Sequence, residues 1–309
     1  MNEKNGNLQS DLYLPNMTKI YLIDASPYIF RAYYSIPPTL RTPEGAPANA
    51  IYGYTAFLLD LLKREEPSHI AIAFDGSLTT SFRNHIFPEY KAQRKLPDAE
   101  LEAQLGACYE VTEALGFRGF IDKEYEADDI IGSILTWVAG KDHSFVVVSG
   151  DKDLAQLVND STILWDYAKD RRLDEKAVSE HFGVCANQIV DLLALAGDAI
   201  DNIPGVKGIG MKTACSLLRE FGSLEEIYRQ IDRMSELPLR GAAAIQSRLL
   251  QGKEAAFLSK RLASIAIDMP LKTSMSELRY AGAHEEKTLA LFDRLGFAKI
   301  RERVTKWQR

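Results

Sequence analysis

Cysteine is almost missing: Cys108, Cys185 and Cys215 are the only three in 309 residues, odd in number and scattered, which excludes a disulfide framework. The five histidines (His69, His85, His143, His181, His284) stand at no ligand spacing from one another or from the cysteines, so a zinc site is excluded as well. No apolar run reaches bilayer-spanning length, and residues 1–18 hold no signal-like hydrophobic block; the expectation is a cytoplasmic protein without a membrane partner, preceded by a disordered arm over 1–18. Repeats, low-complexity tracts and long linkers are lacking too. Positive charge is not in excess, the net charge being −6. What remains is ordinary for a globular chain: 46% hydrophobic and 26% charged, with length for one large or two modest domains.

Residues 197–213 organise the rest. Before them, Ile189, Val190, Leu192, Leu193 and Leu195 mark a buried helix over 187–196, and a second helix is expected over 213–221. Between the two lies a hairpin with Gly205, Gly208 and Gly210. Glycines let the backbone turn sharply, and the following helix opens with free N–H groups beside Lys212 and Thr213, a cradle for phosphate. A nucleotide-binding P-loop is excluded, because Met211 separates Gly210 from Lys212 and a helix rather than a strand precedes the loop. Asp198 and Asp201, three apart, point the same way on a last helical turn.

Short apolar runs at 19–23 and 69–74 end on Asp24 and Asp75, with a helix expected over 48–64 between them. Strand, helix, strand implies parallel pairing. A third strand closing near 120, a helix over 126–137, a fourth strand at 145–148 leading to Asp151 and Asp153, and a fifth at 161–165 extend the pattern. In an open parallel sheet, sites lie beyond the carboxyl ends of the strands. Each aspartate alone reads as a helix cap or turn residue; their coincidence points elsewhere. Asp24, Asp75, Glu126, Asp128, Asp129, Asp151, Asp153, Asp198 and Asp201 would converge on one edge, where like charges raise one another's pKa unless cations neutralise them. All-oxygen ligands favour two or more Mg²⁺ or Mn²⁺ ions. Setting those nine carboxylates aside turns the net charge of −6 into +3 for the remainder, enough for a local basic surface.

From about residue 76 the texture changes: Arg83, Lys91, Arg94 and Lys95 are interleaved with Phe82, Phe87 and Tyr90. A solvated loop is the plain reading. Leaving directly from the acidic edge, the segment could also hold a phosphate backbone near the metals, its aromatics packing on bases or on the loop itself.

Together these residues resemble the 5′ nuclease superfamily, and in particular the bacterial 5′→3′ exonuclease domain found at the start of DNA polymerase I or as a stand-alone flap endonuclease. The motifs are Tyr21-Leu22-Ile23-Asp24, Ala73-Phe74-Asp75 with Ser81-Phe82-Arg83, Tyr90-Lys91-Ala92-Gln93-Arg94, Tyr125-Glu126-Ala127-Asp128-Asp129, Gly150-Asp151-Lys152-Asp153-Leu154 and the glycine hairpin. The likeness runs from residue 19 onward, without the polymerase portion. It implies an α/β fold with a mostly parallel central sheet flanked by helices. An α/β catalytic domain over 19–184 would carry a basic arch at about 76–100. A helical DNA-binding part over 185–309 would carry a helix-hairpin-helix-like element at 187–221.

The resemblance also distributes roles. Asp24, Asp75, Glu126 and Asp128 would serve a first metal, and Asp128, Asp129, Asp151, Asp153, Asp198 and Asp201 a second. Lys91 and Arg94 belong to the arch and act in catalysis, with Arg83 at its base. Main-chain carbonyls of Leu195, Ala196, Pro204, Val206 and Ile209 would hold K⁺. DNA would meet Phe30, Arg31, Tyr90, Lys207, Gly208, Ile209, Gly210, Lys212 and Thr213. Many relatives have a tyrosine where this chain has Phe30, which keeps the ring for stacking and lacks the hydroxyl.

The implied protein is a monomeric bacterial nuclease of replication and repair, nucleoid-associated, working beside a polymerase and a ligase. It would hydrolyse DNA at 5′ ends, flaps and nicks, and RNA primers on DNA. A ribonuclease of the related PIN fold explains the acidic edge but neither hairpin nor arch; a DNA-junction binding module without turnover is the alternative outside enzymes.

Overall fold

The computed structural model describes residues 17–76, 79–236, 241–271 and 273–308. The expected arm over 1–18 falls outside these residues up to 16, and Thr18 already belongs to the first strand, its N–H bonded to the Asp142 carbonyl at 2.7 Å. The strands are β1 (Thr18–Asp24), β2 (His69–Asp75), β3 (Arg118–Asp122), β4 (His143–Val148), β5 (Thr162–Asp166) and β6 (Arg171–Leu173). They form one sheet in the order β3-β2-β1-β4-β5-β6, parallel except for the last pair. The helices of this half are α1 (Ser26–Ser35), α2 (Asn49–Glu65), α3 (Phe82–Ile86), α4 (Ala99–Ala114), α5 (Ala127–Trp137) and α6 (Glu175–Phe182).

Alternation along the strands splits the core in two. Tyr21, Ile23, Ile70, Ile72, Val146 and Val148 face α1, α2 and α4; Ile20, Leu22, Ala71, Ala73, Phe145 and Val147 face α5 and the helical half. Strands covered on both faces read as continuous apolar runs, which is how β1, β2, β4 and β5 stand in the sequence. Chain order reverses between β1 and β4, and the crevice at such a point lies beyond the strands' carboxyl ends. Asp24 ends β1, Asp75 ends β2 and Asp151 follows β4 at that crevice.

The helical half comprises α7 (Ile189–Ala196), α8 (Met211–Phe221), α9 (Leu224–Arg229), α10 (Ala242–Gln251) and α11 (Lys253–Ala263). Of the helix expected over 239–251, Leu239 and Arg240 lie outside the described residues. Helices α7 and α8 frame the glycine hairpin. Gly205 has φ +61°, and a Cβ there would stand 2.4 Å from the Gly197 nitrogen, so two stretches of backbone touch inside the loop. Asp198 and Ile203 exchange both backbone hydrogen bonds across it, at 2.9 and 2.8 Å.

The last segment departs from the helical DNA-binding part assigned to 185–309. Helix α12 (Glu285–Leu295), α13 (Ala298–Arg301) and the short parallel pair β7 (Ala283–His284) and β8 (Trp307–Gln308) return to the α/β half. Leu291, Phe292, Leu295 and Ile300 are buried in the cluster that holds α2 and α4, and the Thr288 hydroxyl donates to the Ala114 carbonyl at 2.7 Å. The cause is the outer face of α4, which needs an apolar cover that the sheet does not supply.

Candidate metal centre and nucleic-acid interface

Eight carboxylates, those of Asp24, Asp75, Glu126, Asp128, Asp151, Asp153, Asp198 and Asp201, meet at the sheet's carboxyl edge. Ser26, starting α1, ties the first two together: its N–H donates to Asp24 Oδ1 at 3.2 Å and its hydroxyl to Asp75 Oδ2 at 2.7 Å. Asp24 also accepts from the Ser149 hydroxyl and Asp75 from the Ala127 N–H. The Asp151 N–H bonds the same Ser149 hydroxyl, and the Asp153 N–H bonds Asp151 Oδ1 at 2.9 Å.

Burial and mutual repulsion act on these carboxylates together. Burial, then Asp75 and Asp151, push the Asp24 carboxyl far up; burial, then Asp151, Asp24 and Asp75, do the same to Asp128. Asp151 is raised by burial and by Asp201. Asp153 is pushed up to about 7 by burial first and by Asp151, Asp201 and Asp198 after it. Its Oδ1 is buried with no hydrogen-bond partner.

Basic side chains answer part of this charge. Lys91 Nζ lies 2.9 Å from Glu126 Oε2 and 3.6 Å from Asp201 Oδ2, Arg94 pairs with Asp201, and Lys152 pairs with Asp198. Burial works against the Lys91 ammonium, but Glu126, Tyr90 and Asp201 outweigh it and hold its pKa well up; burial likewise works against the Glu126 carboxylate, and Lys91 and Arg83 outweigh it and hold its pKa down. These pairs draw Glu126, Asp198 and Asp201 aside, and among the described residues no three acidic, His or Cys side chains close into a finished cage. The donors nevertheless suit a hard cation: all oxygen, mutually repelling, with an unanswered oxygen on Asp153.

Three expectations are corrected. Asp129 is fully buried, and its carboxylate takes both arms of Arg83 at 2.7 and 2.8 Å together with the N–H groups of Glu126 and Ala266. Its oxygens are used up, so it holds no metal. Arg83, whose guanidinium also donates to the Leu262 and Ser264 carbonyls, is no arch cation open to substrate. It staples the start of α5 to the end of α11. Tyr90 is buried, its hydroxyl donating to Glu126 at 3.1 Å, so its ring packs inward and offers no face to DNA.

Residues 89–94, within the segment expected to form the arch, are tied to residues 199–202 beside the carboxylates. The Lys91 N–H donates to the Asp201 carbonyl at 3.1 Å, Gln93 to the Ala199 and Ile200 carbonyls, and Asn202 to the Glu89 carbonyl. These bonds hold Lys91 at φ +54°, a left-handed backbone unusual for a residue with a side chain. Of the arch, Ser77 and Leu78 lie outside the described residues.

At the hairpin, Lys207, Gly208, Gly210 and Lys212 are exposed, Thr213 is half-buried, and the Ile209 side chain sits in the core, leaving only its main chain to a ligand. Gly210 caps α8 with no acid in the first turn, which leaves that helix end electropositive. The carbonyls of Leu195 and Val206 each accept one backbone N–H. Phe30 and Asp75 line one cavity, whereas Arg31 faces a different groove with Tyr28, Asp60 and Tyr167 and is not brought to the carboxylates. Sequence reasoning missed Lys152 as the partner of Asp198, and Arg248, which donates to the Gly208 carbonyl at 3.0 Å. Lys152 sits inside a motif already singled out, so its charge was the available signal; nothing local marks Arg248.

Comparison with known proteins agrees with this architecture. Residues 19–183 match the family model described as 5′-3′ exonuclease, N-terminal resolvase-like domain, and residues 184–286 match 5′-3′ exonuclease, C-terminal SAM fold. DNA polymerase I of Bacillus caldotenax is 39% identical over 93% of this chain and 32% of its own length; a 5′-3′ exonuclease of Buchnera aphidicola is 36% identical over 84% of this chain and 90% of its own. The chain thus spans about a third of the polymerase relatives it matches. Two solved structures share the fold: the phage T5 5′-exonuclease with divalent zinc ions bound (TM-score 0.66, 23% identity, 89% of this chain and 99% of that one) and flap endonuclease-1 from Methanococcus jannaschii (TM-score 0.58, 16% identity, 94% and 91%).

Proposed function

The chain belongs to the 5′-3′ exonuclease family, and from that premise we propose that it hydrolyses DNA phosphodiester bonds at or near a 5′ end, flaps and nicks and DNA-annealed RNA primers included. The observation that carries this reading is the gathering of Asp24, Asp75 and Asp151 from separate strand ends, with a buried, unpartnered Asp153 oxygen beside Asp151. Asp24, Asp75, Asp128, Asp151 and Asp153 would hold Mg²⁺ or Mn²⁺, joined by Glu126, Asp198 and Asp201 as their basic partners turn to substrate. Ions bound there supply an acidified water and charge stabilisation for the leaving oxygen.

The rest falls to the chain itself. Lys91 and Arg94 reach the pocket from the arch and are placed to neutralise charge building on the phosphate. The exposed hairpin backbone and the start of α8, with Lys207 and Lys212, would seat the duplex by its phosphates. The carbonyls of Leu195, Ala196, Pro204, Val206 and Ile209 would replace the hydration shell of K⁺; on Leu195 and Val206 one lone pair remains for it. In this reading 19–184 cuts, the helices from 185 grip the duplex, and a monomer acts at the bacterial nucleoid beside a polymerase and a ligase.

The test is cleavage of a 5′-labelled flap duplex with Mg²⁺, with EDTA and by Asp151→Ala, products resolved by length. Cutting near the junction only by the wild type with metal is expected. Binding without metal-dependent cuts would favour the junction-binding module, and preference for single-stranded RNA the PIN-type ribonuclease. Lys91→Ala with Arg94→Ala should slow cutting far more than it weakens duplex binding; equal losses would remove the role given to the arch.

A further inference from the structure

We propose that the cavity walled by Phe30, Phe74, Leu96, Leu105, Tyr109 and Ile121 receives the base of the first unpaired nucleotide of a 5′ flap, an inference that rests on the nuclease reading above. The cavity measures about 370 Å³ and has Asp75 and Ser26 in its lining, so it opens from the carboxylate cluster itself. That volume and a mostly apolar, aromatic lining with few polar groups are the marks of a small-ligand pocket. Leu96 and Ile121 leave 63% and 53% of their surface exposed in its wall, apolar area that the folded chain does not cover.

Gly106, within α4, also lines the cavity, and a Cβ added to it would meet nothing within 4 Å. Its backbone is not left-handed, so neither packing nor conformation demands glycine, although glycine weakens a helix interior relative to alanine. Its missing side chain keeps the cavity open. Beside a phosphate held at Asp75, the flat and largely apolar part of a neighbouring nucleotide is its base; sugar and phosphate are polar. A flap base is already unpaired, so burying it breaks no pair, whereas a paired end would first have to open. The cavity thereby favours flaps over fully paired ends. It is distinct from stacking on Phe30 alone, since its depth comes from α4 and β3.

Single-turnover cleavage of a flap duplex, compared with one whose first flap nucleotide lacks its base, tests this in wild type and Gly106→Leu, with a thermal melt confirming that the variant folds. Base removal should slow the wild type about tenfold, the lower range of a base-aromatic stacking contact. Gly106→Leu should slow the intact flap to a similar degree and lose its sensitivity to base removal. Gly106→Ala, which leaves most of the space, should keep the rate and melt higher. In EDTA, 2-aminopurine at that position should be quenched on binding by the wild type and not by Gly106→Leu. Equal wild-type rates with and without the base, or unchanged quenching in Gly106→Leu, would overturn the pocket. Quenching without any cleavage would keep the pocket and overturn the nuclease reading instead.

Discussion

Asp129 and Asp153 are two buried aspartates beside one pocket, and their partners give them opposite tasks. Asp129 is saturated by Arg83 and two N–H groups; Asp153 keeps an oxygen unanswered. Removing one partner of a buried ion pair costs about 3–5 kcal/mol, so Arg83→Ala should lower unfolding free energy by that order in denaturant titrations. For Asp153, the folded carboxyl titrates near 7 against roughly 3.9 unfolded. Between those values the folded state keeps a proton that the unfolded state has released, so this group's contribution to stability falls as pH rises through the window. A divalent cation binds the deprotonated form and acts in the opposite sense. Mn²⁺ should therefore raise Tm more at pH 8 than at pH 5, and Asp153→Asn should raise the metal-free Tm at pH 8 and cancel most of that difference. Equal Mn²⁺ shifts at the two pH values would contradict this. The sequence marked both residues only as acids in motifs; the partner that separates them, Arg83, stands 46 positions from Asp129.

Among the elements, the strands were the most legible, because full burial on both faces leaves unbroken apolar runs such as 19–23 and 69–74. Helices α5, α7 and α8 were legible from their spacing. The sequence reading passed over α1, whose aromatic residues and early proline blur the period, over β6, only three residues long, and over α6. The hairpin was recognised, but its glycines do different work. Gly205→Ala would carry a left-handed backbone, costing about 1–2 kcal/mol, and push a Cβ against the Gly197 nitrogen. Gly210→Ala has φ −101° and open space, so it loses only the glycine preference at a helix cap, about 1 kcal/mol or less. Thermal melts and duplex binding should show Gly205→Ala impaired in both and Gly210→Ala close to wild type; equal effects would contradict the inward role of Gly205.

At the scale of the molecule, the reversal of chain order between β1 and β4 is what collects Asp24, Asp75, Asp151 and Asp153. The sequence allowed that convergence to be inferred from strand ends alone. It did not show the return of α12 to α4, since an amphipathic helix does not state which surface it covers, nor residues 89–94 fastened to residues 199–202 through Lys91, Gln93 and Asn202. Described residues include no helix long and apolar enough to cross a membrane. The central claim is that distant acids form one divalent-cation pocket. Anomalous diffraction from crystals soaked in Mn²⁺ tests it most directly: peaks enclosed by Asp24, Asp75, Asp128, Asp151 and Asp153, absent in Asp151→Ala, are expected. Peaks elsewhere, or none at those side chains in the wild type, would contradict it.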